Sequence, residues 1–156
     1  GYCQDNEITW IDWDMANQNA DMLRFVQNMI ILRKRHKSIM RRRFLTGNII
    51  EERGIRDISW HGAEVDKPLW DDPDNQLLAF TLAGIDEPDI HVIINMSDQQ
   101  TRCELPKIEG KLWCLSVDTS QNSPDDIIRR PNQTAMIEKS FLVNEKTIVV
   151  FENNNA

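Results

Sequence analysis

Between positions 17 and 38 the apolar residues Met22, Phe25, Val26, Met29 and Leu32 recur every three or four places, with Leu23 and Ile30 beside them. That spacing predicts one α-helix with a wide apolar face. Asn17 or Asn19 stands where an N-cap is needed, Asp21 falls in the first turn, and Arg33, Lys34, Arg35 and Lys37 fill the last, the charge order that a helix dipole favours. Ahead of the helix, positions 9 to 14 are expected to form a helical turn that carries Trp10 and Trp13 to a buried surface. After Gly47 the period shortens. Positions 57–60, 76–82, 89–95, 101–105, 112–117, 136–142 and 147–151 are short runs of β-formers separated by Gly, Pro, Asn, Asp and Ser. Such a series predicts an antiparallel β-sandwich, with Asn153, Asn154, Asn155 and Ala156 fraying beyond its last strand.

Length and charge narrow the picture. At 156 residues the chain suits one domain with an appendage and is too short for a complete (β/α)₈ barrel, which needs about 250. A formal charge of −7 argues against nucleic acid and membrane surfaces as partners, since both are polyanionic, and leaves neutral carbohydrates open. Cys3, Cys103 and Cys114 form no CxxC pair and no closed disulfide framework, so a reducing, cytoplasmic setting is expected. No apolar run approaches the roughly 20 residues of a membrane span, and the opening residues lack the pattern of a signal peptide. The chain opens as if in the middle of a loop, as a fragment would.

Little catalytic chemistry stands out. Asp71, Asp72 and Asp74, like Asp125 and Asp126, lie in turn sequences that match no calcium loop, and the three histidines have no partners at ligand spacing. No metal, no cofactor and no catalytic residue is therefore expected. His36 is explained by its place at a helix C-terminus and His91 by surface alternation along a strand; the basic run from Arg33 to Arg43 reads as a helix end and the loop after it. Of five tryptophans, Trp10, Trp13 and Trp113 read as packing residues, whereas Trp60 and Trp70 flank a loop and are the candidates for exposure and for stacking on sugar rings.

A more specific signal lies at residues 2 to 13. The segment YCQDNEITWIDW closely resembles the Y-C-Q-D-N-E-x-x-W-x-D-W stretch of bacterial glycogen debranching enzymes and plant-type isoamylases, members of the α-amylase superfamily of glycoside hydrolases. The resemblance continues through Leu32-Arg33-Lys34-Arg35-His36, through Asp57 to Gly62 (DISWHG), through Asp89 to Asn95 (DIHVIIN), and through Trp113 with Val117 to Ser120. One departure is Lys37, where the family usually has Pro, which is expected to extend the helix slightly.

The resemblance implies a mainly β chain: a C-terminal antiparallel β-sandwich preceded by the last loop and helix of a (β/α)₈ barrel. Residues 1–43 would be that end of the barrel and 44–156 the sandwich, expected to need little from the helix. The catalytic carboxylates would lie on earlier barrel strands, so the chain would support but not perform hydrolysis of α-1,6 branch points in glycogen-like glucans. Its partners would be the remainder of the barrel and, through the parent enzyme, glycogen or another α-glucan, with the unpartnered helix face exposed or buried by self-association. Active sites of barrel enzymes sit on the loops after the strands, so Tyr2, Asp5 and Asn6 would border the substrate cleft. The rival expectation is a free-standing carbohydrate-binding or interaction module using Trp60 and Trp70.

Overall fold

A computed structural model describes residues 3–155. Helices α1, Met15–Gln18, and α2, Ala20–Arg35, occupy the stretch of helical period. No helix forms over positions 9 to 14. The chain turns at Asn6, whose carbonyl oxygen accepts the Thr9 and Trp10 N–H groups at 2.9 and 3.1 Å, and again at Asp12, whose carboxylate accepts the Asp14 N–H at 3.0 Å, before α1 starts at Met15. Trp10 and Trp13 are exposed in this chain, against the expectation of burial. Asn19 occupies the N-cap of α2, but its side chain turns back to the Met15 carbonyl oxygen, so no side-chain bond caps the helix. Lys37 does not extend α2. The helix stops at Arg35 because His36 is extended (φ −110°, ψ 101°), and the N–H groups of Lys37 and Ser38 are taken by the Glu87 carboxylate at 2.6 and 2.7 Å.

The strands are β1 (Ile49–Ile50), β2 (Ile55–Arg56), β3 (Ile58–His61), β4 (Leu77–Leu82), β5 (Ile90–Asn95), β6 (Thr101–Glu104), β7 (Lys111–Asp118), β8 (Ser140–Val143) and β9 (Thr147–Asn155). Strands β3-β4-β5-β9-β7 form one antiparallel sheet, β6 pairs with β8, and β1 with β2 makes a small hairpin. The hairpin escapes a reading by alternation because each arm has only two residues. Two further expectations fail. The strand expected over positions 136–142 starts only at Ser140, with Ile137 exposed. The asparagine run does not fray: Asn153 is buried, accepts the Asp89 N–H at 2.9 Å and donates to its carboxylate at 2.6 Å.

Alternation along the large sheet sends Ala79, Ile93, Val149 and Phe151 toward β6–β8, where they pack with Cys103, Leu105, Trp113 and Val143. Ile58, Leu82, Ile90 and Val150 point the other way and meet Leu32, Phe25 and Met29 of α2. The architecture is therefore a sandwich with a helix on its outer sheet face. Among the described residues no helix is long and apolar enough to cross a membrane.

Candidate functional site

The loop before α1 uses its polar residues on itself. Asp5 Oδ1 accepts the indole N–H of Trp10 at 2.6 Å, and Asn6 Oδ1 accepts the Ile8 N–H at 3.1 Å. These bonds fix the loop, and among the described residues none reaches the second Asp5 oxygen. Tyr2 lies outside the described residues.

Trp60 and Trp70, ten places apart in sequence, are brought together. Their ring centroids lie 5.4 Å apart with planes at 73°, and Phe80 braces Trp60 at 5.6 Å. Trp60 is 40% exposed and Trp70 62%. Between them the chain reverses at Gly62, where the absence of a Cβ matters: one built there would stand 2.5 Å from the Lys67 carbonyl oxygen. Beside the rings a cleft of about 740 Å³ runs along β3, walled by the β1–β2 hairpin, by residues 65–68 and by residues 106–108.

Beneath the cleft a chain of neutral polar groups enters the sandwich. Asp66 N–H donates to His61 Nδ1 at 2.9 Å, which leaves His61 Nε2–H to donate to Thr81 Oγ1 at 3.0 Å. The Thr81 hydroxyl in turn donates to His91 Nδ1 at 2.9 Å. His91 is wholly buried, so its explanation by surface alternation fails. Burial first, and the neighbouring His61 second, push its pKa down to about 3.

Glu152 is the residue that sequence reasoning missed. It is fully buried in mid-strand, yet Arg35 Nε, Ser116 Oγ and Gln133 Nε2 each reach its carboxylate at 2.8 Å, and His36 Nε2 at 2.5 Å. Arg130 stands at 3.4 Å. Burial alone would raise the Glu152 pKa, but the bonds from His36, Arg35, Gln133 and Ser116 outweigh it and hold the group well below the usual carboxylate range. Far from merely answering the helix dipole, His36 bolts the end of α2 to β9. The signal was present: Glu152 shares the parity of Val150, which packs toward α2, in an otherwise apolar run, where an acid needs a partner. A second buried carboxylate, Asp89, takes Arg53 through both oxygens and the Gly84 N–H at 2.8 Å. Here too burial raises the pKa, but Arg53, Gly84 and Asn153 bring it below the ordinary value.

The family described as "Isoamylase 1-3, C-terminal" matches residues 59–156. A protein named "Glycogen operon protein GlgX homolog" from Mycobacterium tuberculosis is 39% identical over 87 residues, covering 53% of this chain and 12% of its own length. "Isoamylase 1, chloroplastic" of Arabidopsis thaliana and "Isoamylase SU1, chloroplastic" of Zea mays are each 30% identical over 128 residues, covering 81% of this chain and 15% of their own lengths. The chain thus spans less than a fifth of these curated relatives.

Proposed function

The chain belongs to the isoamylase C-terminal domain family, and from that premise we propose that it is the C-terminal part of an enzyme that hydrolyses α-1,6-glucosidic branch points in glycogen-like glucans. The observation that carries this reading is the reach of the likeness: the isoamylases align over 128 residues, more than the 59–156 stretch of the domain family, and so extend toward α2. Residues 1–43 are read as the last loop and helix of the catalytic barrel and 44–156 as the sandwich that follows. The two carboxylates of glycoside hydrolysis are supplied by earlier barrel strands. Loop residues Tyr2, Asp5 and Asn6 border the glucan, and Asp5, with one oxygen engaged by Trp10, keeps the other for a sugar hydroxyl. The exposed stripe of Met22, Val26 and Ile30 on α2 is the seat for the rest of the barrel, and covers itself by self-association when the barrel is missing. The parent works in the cytoplasm.

The test is to express the full reading frame and measure reducing-end release from branched and from fully debranched α-glucan. Turnover confined to the branched substrate is expected, together with a fall of about tenfold in kcat/KM for Asp5→Asn, about 1.4 kcal/mol, at nearly constant melting temperature. Equal activity on both substrates, or none, overturns the reading. A large drop in melting temperature with normal kcat/KM reassigns Asp5 to holding its loop.

A further inference from the structure

The cleft along β3 is used by neither the fold nor the debranching chemistry. β3 is an edge strand of the large sheet. Ala83 N–H donates to the Asp57 carbonyl oxygen at 3.2 Å, which makes that pair a hydrogen-bonded one and, counting along the register, makes Trp60 and Phe80 a non-hydrogen-bonded one. The main-chain N–H and C=O of Trp60 therefore point away from β4 toward the cleft. Among the described residues neither group is hydrogen-bonded to the protein, and neither are the indole N–H groups of Trp60 and Trp70. The wall adds Ser59 and Asp66 as acceptors and Arg56 and Lys107 as donors.

We infer that this cleft holds a short run of glucose units in an α-linked glucan. Exposed ring faces meet the C–H faces of pyranoses, and unpaired donors and acceptors standing beside them meet hydroxyls, which both give and take hydrogen bonds. The charged side chains of the wall are few and of both signs, Asp66 against Arg56 and Lys107, so the cleft does not select a polyion. The rings meet at 73° rather than lying in one plane; this suits a chain that turns from one sugar to the next, as α-linked glucans do, and not a flat β-linked ribbon. The choice of glucose as the sugar rests on the debranching reading, while the cleft is tested independently of it.

The experiment titrates the chain with maltoheptaose and, in parallel, with a cello-oligosaccharide, following tryptophan fluorescence and the indole N–H resonances. Saturable binding at millimolar maltoheptaose is expected, with shifts centred on Trp60 and Trp70 and none from the β-linked sugar. Trp70→Ala, a change at an exposed ring, weakens binding about tenfold or more. Trp60→Phe, which keeps the packing on Phe80, weakens it less. Absent shifts, shifts centred elsewhere, or equal response to both sugars overturn the inference. Debranching by the full reading frame without binding here sinks the cleft alone; binding here without debranching sinks the enzymatic reading alone.

Discussion

The two faces of the five-stranded sheet are held by different physics. Toward β6–β8 the centre of the sheet presents Ile93, Val149 and Phe151 to Cys103, Leu105 and Val143, and the polar groups nearest Phe151, Thr81 and His91, are neutral, with the Asp89–Arg53 pair kept to the strand ends. Toward α2 the apolar contact is narrower, and the helix is fastened by charge: Arg35 and His36 on Glu152, and Arg24 on Asp126. Adjacent residues of β9 carry the difference, since Phe151 belongs to one face and Glu152 to the other. A sealed face gains from area removed from water, whereas a charged seam gains only while each partner is present. The expectation that the sandwich needs little from the helix therefore meets an obstacle, because without α2 and the residue after it Glu152 loses the Arg35 guanidinium and the His36 imidazole.

The comparison breaks most sharply at those two neighbours. Phe151→Ala leaves a cavity and should cost about 3 to 5 kcal/mol in a denaturant melt. Glu152→Ala should cost a similar ~3 to 5 kcal/mol by stranding Arg35, Arg130 and His36. Acid separates them: the Glu152 pKa is depressed on folding from 4.5, so its contribution is complete above that value and fades as pH falls through the folded pKa. The Glu152→Ala penalty should shrink in acid and the Phe151→Ala penalty should not; parallel pH profiles would refute the division.

Next in size is the buried imidazole of the sealed face. The pKa of His91 falls from 6.5 unfolded to about 3 folded, so only the unfolded chain takes up the proton between those values. Stability is then greatest above 6.5 and declines with acidification, by about 2 kcal/mol between pH 7 and pH 5 from this group alone. The depressed pKa of His61 acts in the same direction. Chemical denaturation at the two pH values measures it, and a flat profile would mean that the imidazole is not sealed from water.

Smaller effects are expected at the margin of the charged seam. Arg24→Ala, at a partly exposed pair with Asp126, should cost no more than about 1 kcal/mol, and less in high salt. Met22→Ser, at an exposed point of the α2 stripe, should change stability by less than about 0.5 kcal/mol while reducing self-association measured by sedimentation.

Legibility in the sequence followed the same division. Where one physical rule acts alone, it was readable: alternation located β4, β5, β7 and β9, and helical spacing located α2. Trp60 and Trp70 could be picked for exposure by their place around a loop, but their meeting at 5.4 Å depends on the path from Gly62 to Pro68 and could not. What stayed hidden were long-range polar pairings. His36 and Glu152 lie 116 positions apart, and each taken alone fits a blander reading, as a dipole partner or a surface acid. Asn153 was read as tail because asparagine favours loops, and only its pairing with Asp89 makes it strand. The boundaries set by a single side chain were lost for the same reason, as after Arg35, where the Glu87 carboxylate takes the Lys37 and Ser38 N–H groups and the helix ends.

The place of β9 in the sheet also has a consequence for synthesis. It is the latest strand in the chain, yet it lies between β5 and β7 and pairs with both. As a nascent chain emerges from N to C, β5 and β7 have no shared edge and must wait, each with an unpaired row of N–H and C=O groups, until β9 arrives between them. Closure of the sheet is thus a late, non-local event, of the slow kind. Its register has little freedom, since a slip of one residue would send Glu152 into the apolar sandwich and Phe151 onto the guanidinium groups. During that interval the half-made protein is most exposed to pairing with a neighbour, and a ribosome stalled before Thr147 would release a chain whose central slot stays empty.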